Sequence, residues 1–168
     1  MHILARRQLR RLTLCLVPFI FAACGSDVPS DSTCRNLVYK DEGLSRAEYL
    51  PCAGEIVTAL DELGQQSAAA SRGDQQARSA GRATLARVRA LMNAAGGRNL
   101  LERWQDRALT DLNVRISNAV THYEAFYMVR VVEEPNQFAA QTRQAAAAEL
   151  TAAVRRHEEA RSSYRRLR

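Results

Sequence analysis

Beyond Ser45, apolar residues in this chain return every three or four positions, and no segment alternates apolar with polar. That period belongs to a helix and not to a strand, so the chain has to fold by packing helix against helix. Ser45-Arg46-Ala47-Glu48 has the spacing of a capping box, with Leu44 and Tyr49 placed as its hydrophobic staple. Pro51 is expected to end a short opening turn and to start the first main helix at its first position. Cys52, Ile56, Leu60 and Leu63 then form one stripe, which Gly73 ends. Asp74 is placed to cap a second helix, striped by Ala77, Gly81, Leu85, Val88 and Met92 and stopped by Gly96-Gly97.

Asn99 and Glu102 repeat the capping-box spacing and predict a third helix from Leu100 to Val131, about 48 Å long. Its apolar face carries Leu101, Trp104, Ala108, Leu112, Ile116, Ala119, Tyr123, Phe126 and Tyr127. Glu133-Glu134-Pro135 breaks the pattern, and Pro135 suits the first position of a fourth helix. Phe138, Ala146, Leu150, Ala153, His157, Ala160, Tyr164 and Leu167 share a face of that helix. The expected fold is all-α: an antiparallel up-down-up-down helical bundle of about four helices over residues 45–168, the last two longest. No recurring period of the helical-repeat kind competes with it.

The beginning of the chain is of another kind. Arg6, Arg7, Arg10 and Arg11 precede an apolar run from Leu12 to Ala23, and no acidic residue occurs before Asp27. Twelve residues make about 18 Å of helix against about 30 Å of hydrocarbon, too short to span a bilayer. A basic start, a short apolar middle and small residues at its end are the marks of an export signal. The run closes in Phe21-Ala22-Ala23-Cys24, followed by Gly25. This resembles the lipobox of bacterial lipoproteins; Ala22, Ala23 and Cys24 match it, and Phe21 stands where leucine is usual. The resemblance covers residues 1–24 only. It implies that residues 1–23 are a signal peptide and that Cys24 becomes the mature N-terminus, carrying a diacylglyceryl group and an N-acyl chain such as palmitate. It also implies a lipid-anchored protein of the cell envelope. Gly25 rather than Asp after the cysteine favours the outer membrane, facing the periplasm. Arg6-Arg7-Gln8-Leu9 also loosely resembles a twin-arginine export motif.

Charge and cysteine follow from this division. The chain has 24 Lys and Arg against 18 Asp and Glu. Four of those arginines lie in the signal, leaving 20 against 18, so the basic balance is not a nucleic-acid signature. Cys15 leaves with the signal and Cys24 takes lipid. Cys34 and Cys52 remain as a pair in an oxidising compartment, which predicts a disulfide. It would close a loop of roughly 19 residues and contribute about 3 kcal/mol in the chain-entropy model. Residues 25–33 are polar and aperiodic, so residues 24–44 read as a lipidated cysteine, a flexible tether and a leading segment.

No catalytic signature stands out. His122 and Glu124, two apart, fall about 200° apart on a helix and cannot easily act together. His157 lies on the apolar stripe of the fourth helix, but the glutamate–histidine motifs of di-iron bundles are lacking, so no metal site is expected. Glu55, Asp61 and Glu62 read as a solvated face, and Tyr123, Phe126, Tyr127 and Met128 as core. The C-terminal arginines Arg155, Arg156, Arg161, Arg165, Arg166 and Arg168 face only Glu158 and Glu159 in sequence, a local net of +4. Arginine forks suit phosphate and carboxylate, making these candidate contacts to anionic head groups or peptidoglycan. The expected function is a non-enzymatic, lipid-anchored helical protein with an interaction or scaffolding role. It would need no cofactor beyond its lipid and no nucleic acid. A periplasmic small-ligand or metal-binding bundle is the alternative, and an envelope hydrolase the weaker one.

Overall fold

The computed structural model describes residues 28–37, 44–96, 106–129 and 137–168. Within them lie one 3-10 turn, Thr33–Asn36, and four helices: α1, Arg46–Ser71; α2, Gln75–Ala94; α3, Arg107–Met128; and α4, Gln137–Leu167. The described residues contain no strand, and none of their helices is long and apolar enough to cross a membrane. The chain is an all-α bundle.

The caps explain where the helices begin. The Ser45 side chain accepts from the Glu48 N–H while the Glu48 carboxylate accepts from the Ser45 N–H, a closed capping box. Leu44 and Tyr49 are buried in the same core. α1 therefore starts at Arg46 and runs through Pro51, rather than beginning there. The box has already set the first turn, with the Tyr49 N–H on the Ser45 carbonyl at 3.0 Å. Pro51 is exposed and shares a solvent-open groove with Ala47, whose carbonyl loses its helical donor. α1 ends before Gly73, which takes φ +97°. Asp74 caps α2 by accepting from the Ala77 N–H at 2.9 Å.

α3 departs from expectation. It starts at Arg107, capped by Asp106, which accepts from the Ala108 N–H at 2.9 Å. The expected cap at Asn99 and Glu102, with Leu101 and Trp104, lies outside the described residues, as do Gly97, Val131 and Glu133 to Pro135. α4 is the longest helix at 31 residues, and α1 at 26 exceeds α3 at 22.

Cross-helix pairs fix the topology. Glu62 of α1 meets Thr84 and Arg87 of α2, and Arg89 of α2 meets Glu124 of α3. Asp111 and His122 of α3 meet Ser163 and Glu149 of α4, respectively. Asp61 of α1 meets His157 of α4. Between neighbours the partners run in opposite order: Arg78, Arg82 and Arg89 of α2 meet Val129, Tyr127 and Glu124 at the end of α3, Asp111 and His122 of α3 meet Ser163 and Glu149 of α4, and Gly54 and Asp61 of α1 meet Tyr164 and His157 of α4. Across the diagonal the sense is parallel: Tyr49 donates to Asn113 at 3.2 Å near the starts of α1 and α3, and Tyr127 bonds Ser67 near their ends. This is an up-down-up-down four-helix arrangement.

The interior is filled by Ile56, Leu60, Leu63, Val88, Leu109, Leu112, Ile116 and Phe126, with Ala146, Ala153 and Ala160 of α4 letting it approach closely. Three tyrosines are received by glycines. Tyr164 of α4 lies where a side chain on Gly54 would go, its hydroxyl 2.5 Å from that Cβ position. Tyr123 does the same at Gly64, 3.1 Å away, and Tyr127 overlaps the Cβ position of Gly81 outright. A glycine in a helix interior costs about 1 kcal/mol relative to alanine. Here the tyrosine that takes the vacated space offsets that cost by burying its ring.

Candidate functional site

The segment before α1 is tied down. Cys34 and Cys52 form a disulfide, with Cα atoms 4.6 Å apart. Beside it, Glu55 accepts from the Ser32 hydroxyl at 2.6 Å and from the Thr33 N–H and hydroxyl at 2.6 and 2.7 Å. Desolvation would raise the Glu55 carboxyl, but these three bonds outweigh it and hold its pKa below the usual range. Arg35 reaches back to the Val28 carbonyl at 2.8 Å. Residues 25–33 were expected to form a free tether; the described part, 28–33, is instead docked on α1. Residues 24–27 lie outside the described residues.

The first helix's carboxylates stay open to solvent, as the sequence suggested, but each has a partner. Besides Glu55, Glu62 is paired with Arg87 at 2.5 Å, which holds its pKa low. Asp61 lies 3.1 Å from His157 Nε2 and 3.7 Å from Arg161. Such pairs are invisible along the sequence because each joins different helices.

Two arginine-lined grooves lie at opposite ends of the bundle. The near groove, about 680 Å³, runs between the start of α1 and the end of α4, on the half of the bundle where the leading segment docks. Arg46, Arg161, Arg165 and Arg168 line it, with Asp61 the only carboxylate among the lining residues. Of the six arginines singled out in the sequence, the structure brings Arg161, Arg165 and Arg168 together. Their spacing of four and three puts them on one face of α4. Arg156 turns to Glu159 at 3.0 Å and Arg166 to Ser162 at 3.2 Å, while Arg155 is exposed; these three do not line the groove. Arg46 was missed in the sequence, and it is held by Asp106 of α3, which lowers the Asp106 pKa and raises its own.

The far groove, about 620 Å³, is lined by Arg72, Arg78, Arg82 and Arg143 over Phe126 and Ala146. Nothing in the sequence pattern marked these four. Two of them serve the fold: Arg78 donates to the Val129 carbonyl at 2.9 Å and Arg82 to the Tyr127 carbonyl at 3.3 Å, satisfying the C-terminal end of α3. Arg78 also sits 5.9 Å over the Phe126 ring.

The aromatic cluster behaves as core. Tyr123, Phe126 and Tyr127 are buried, whereas Met128 is 73% exposed. Ser67 gives its hydrogen to the Leu63 carbonyl at 2.7 Å, so Tyr127 is the donor in its 2.9 Å bond to Ser67. Burial raises the Tyr127 pKa, and the Ser67 bond partly opposes it. His157 is buried, edge-on to Tyr123 with ring centroids 6.4 Å apart. Desolvation lowers its pKa, against the opposing charges of Asp61 and Glu158. Its Nε2 and the Tyr123 hydroxyl are buried without a well-aligned hydrogen bond, even though Asp61 is within reach of the former. Neither His157 nor Tyr127 lines the near or the far groove. His122 and Glu124 face different helices, His122 towards Glu149 at 2.8 Å and Glu124 towards Arg89 at 2.5 Å. Among the described residues no three His, Cys, Asp or Glu converge as a metal site.

No protein-family model matches the chain, and neither a curated protein nor a solved structure resembles it significantly.

Proposed function

We propose that this chain is an exported lipoprotein of the cell envelope, held in the outer membrane by acyl chains on Cys24. It acts without catalysis, by presenting a rigid helical bundle to a partner on the periplasmic side. One observation carries this reading. Cys34 and Cys52 are consumed by each other, in a bond suited to an oxidising compartment, and Cys15 belongs to the signal run. Cys24, at the lipobox, is the cysteine left for lipid. The disulfide then fixes the bundle to the point where the anchored chain arrives. The broad concavities are grooves lined by fixed charge, which supports recognition of an anionic surface more than turnover of a substrate. Growth on labelled palmitate tests the anchor: label is expected in the wild type and lost in Cys24→Ser. Equal labelling, or none in either, would refute it.

A further inference from the structure

We propose that the near end of the bundle, through Arg107, Arg165 and Arg168, binds the phosphate head groups of the bilayer that holds the anchor. This rests on the lipid anchor proposed for Cys24. Three observations point to it.

The first is the length of the leash. Val28 is held through its carbonyl by Arg35, and Ser32 and Thr33 by Glu55. Four residues from Cys24 to Val28 span at most about 14 Å. Lipid on Cys24 would therefore keep the docking point within about two Debye lengths of the head groups at physiological salt. The bundle cannot swing far from the surface that holds it.

The second is the charge that meets that surface. Arg46 opens α1, Arg107 opens α3, and Arg165, Arg166 and Arg168 close α4. Asp111 of α3 lies against Ser163 of α4, which sets Arg107, one turn earlier, level with the end of α4. Arg46 is spent on Asp106. Arg107, Arg165 and Arg168 have no carboxylate partner among the described residues, and Arg165 and Arg168 line the open near groove.

The third is that fold stability does not account for all of this placement. The α4 arginines complement the negative end of their helix. Arg107 does the reverse, standing between the N-cap Asp106, which is taken by Arg46, and Asp111, which is taken by Arg115, in a first turn that holds no acidic residue and where the dipole disfavours a cation. A cation kept against its helix dipole, level with two unpaired arginines, fits an external anion. Guanidinium forks match phosphate oxygens in two-point fashion.

The test uses the full lipidated protein reconstituted into vesicles of phosphatidylcholine, with or without phosphatidylglycerol, read by amide hydrogen exchange. With about fivefold bias per arginine near an anionic surface, three give on the order of a hundredfold preference for the docked orientation. Exchange in residues 107–110 and 161–168 is expected to slow on the anionic vesicles only. The slowing should fade in high salt, and Arg107→Gln/Arg165→Gln/Arg168→Gln should abolish it. High salt on the wild type keeps the test independent of how the variant folds. Equal exchange on both vesicle types, with the protein still sedimenting with them, would overturn head-group binding and leave the anchor intact. Failure to sediment would instead count against the anchor itself. Slowing by inorganic phosphate alone on phosphatidylcholine vesicles would overturn the membrane assignment in favour of a free-phosphate site.

Discussion

The two ends of the bundle are both rich in arginine and are held together in opposite ways. At the near end the contacts are covalent and ionic: the Cys34–Cys52 bond, Glu55 on Ser32 and Thr33, and Arg46 on Asp106. At the far end they are steric and dipolar: Tyr127 seated in the space left by Gly81, and Arg78 and Arg82 on the last carbonyls of α3. Among the described residues each groove has two arginines with a partner and two without: Arg78 and Arg82 against Arg72 and Arg143 at the far end, Arg46 and Arg161 against Arg165 and Arg168 at the near end. What separates the ends is the kind of partner, backbone carbonyls of a helix terminus at one and carboxylates at the other.

Substitutions can break or sharpen that contrast. Replacing both Cys34 and Cys52 by serine should cost about 3 kcal/mol and loosen residues 28–37. Chemical denaturation reads the first effect and limited proteolysis near the leading segment the second. An unchanged midpoint would mean that the near end is held by its ionic contacts alone. Gly81→Ala comes next, at about 2 kcal/mol, because the new methyl overlaps the Tyr127 ring. Exchange protection at the end of α3 should fall more than at its start. Glu55→Gln should cost about 1 kcal/mol, since it keeps shape but weakens three charge-assisted bonds. The Glu55 contribution is complete above about pH 4.5 and is lost as pH falls through its lower folded pKa.

His157, midway between the ends and faced by Asp61, Glu158, Arg161 and Tyr123, gives a gentler slope. Its pKa is lowered by burial, so its stabilising effect is full above its ordinary pKa of about 6.5 and declines as pH falls through the folded value. Melting temperature between pH 7.5 and 5 should drop less in His157→Gln than in the wild type. Arg89→Gln, removing an exposed pair with Glu124, should shift stability by no more than about 0.5 kcal/mol.

The local rules reached some of this and stopped at others. Ser45 with Glu48, Asp74 and Gly73 were legible because a cap is written within four residues. Asp106 was overlooked because Leu101, Trp104 and Ala108 carry one helical period across it, and Asn99 with Glu102 offered a capping box ahead of that period. Pro51 misled because one lost donor is a local penalty, and the buried stripe from Tyr49 to Leu63 outweighs it. The disulfide was legible by elimination. The grooves were not: Arg46 joins Arg165 and Arg168 only once α1 lies against α4. The seating of Tyr123, Tyr127 and Tyr164 on glycines was hidden for the same reason, since each pair joins two helices.

How the bundle meets its membrane depends on which sulfur carries lipid and which two are joined. Intact mass spectrometry of the membrane-extracted protein, without reductant, reads both at once. A chain beginning at Cys24, heavier by a diacylglyceryl and an acyl group and gaining two protons on reduction, is the predicted result. A chain beginning elsewhere, with an unmodified Cys24 or with Cys34 and Cys52 as free thiols, would contradict it.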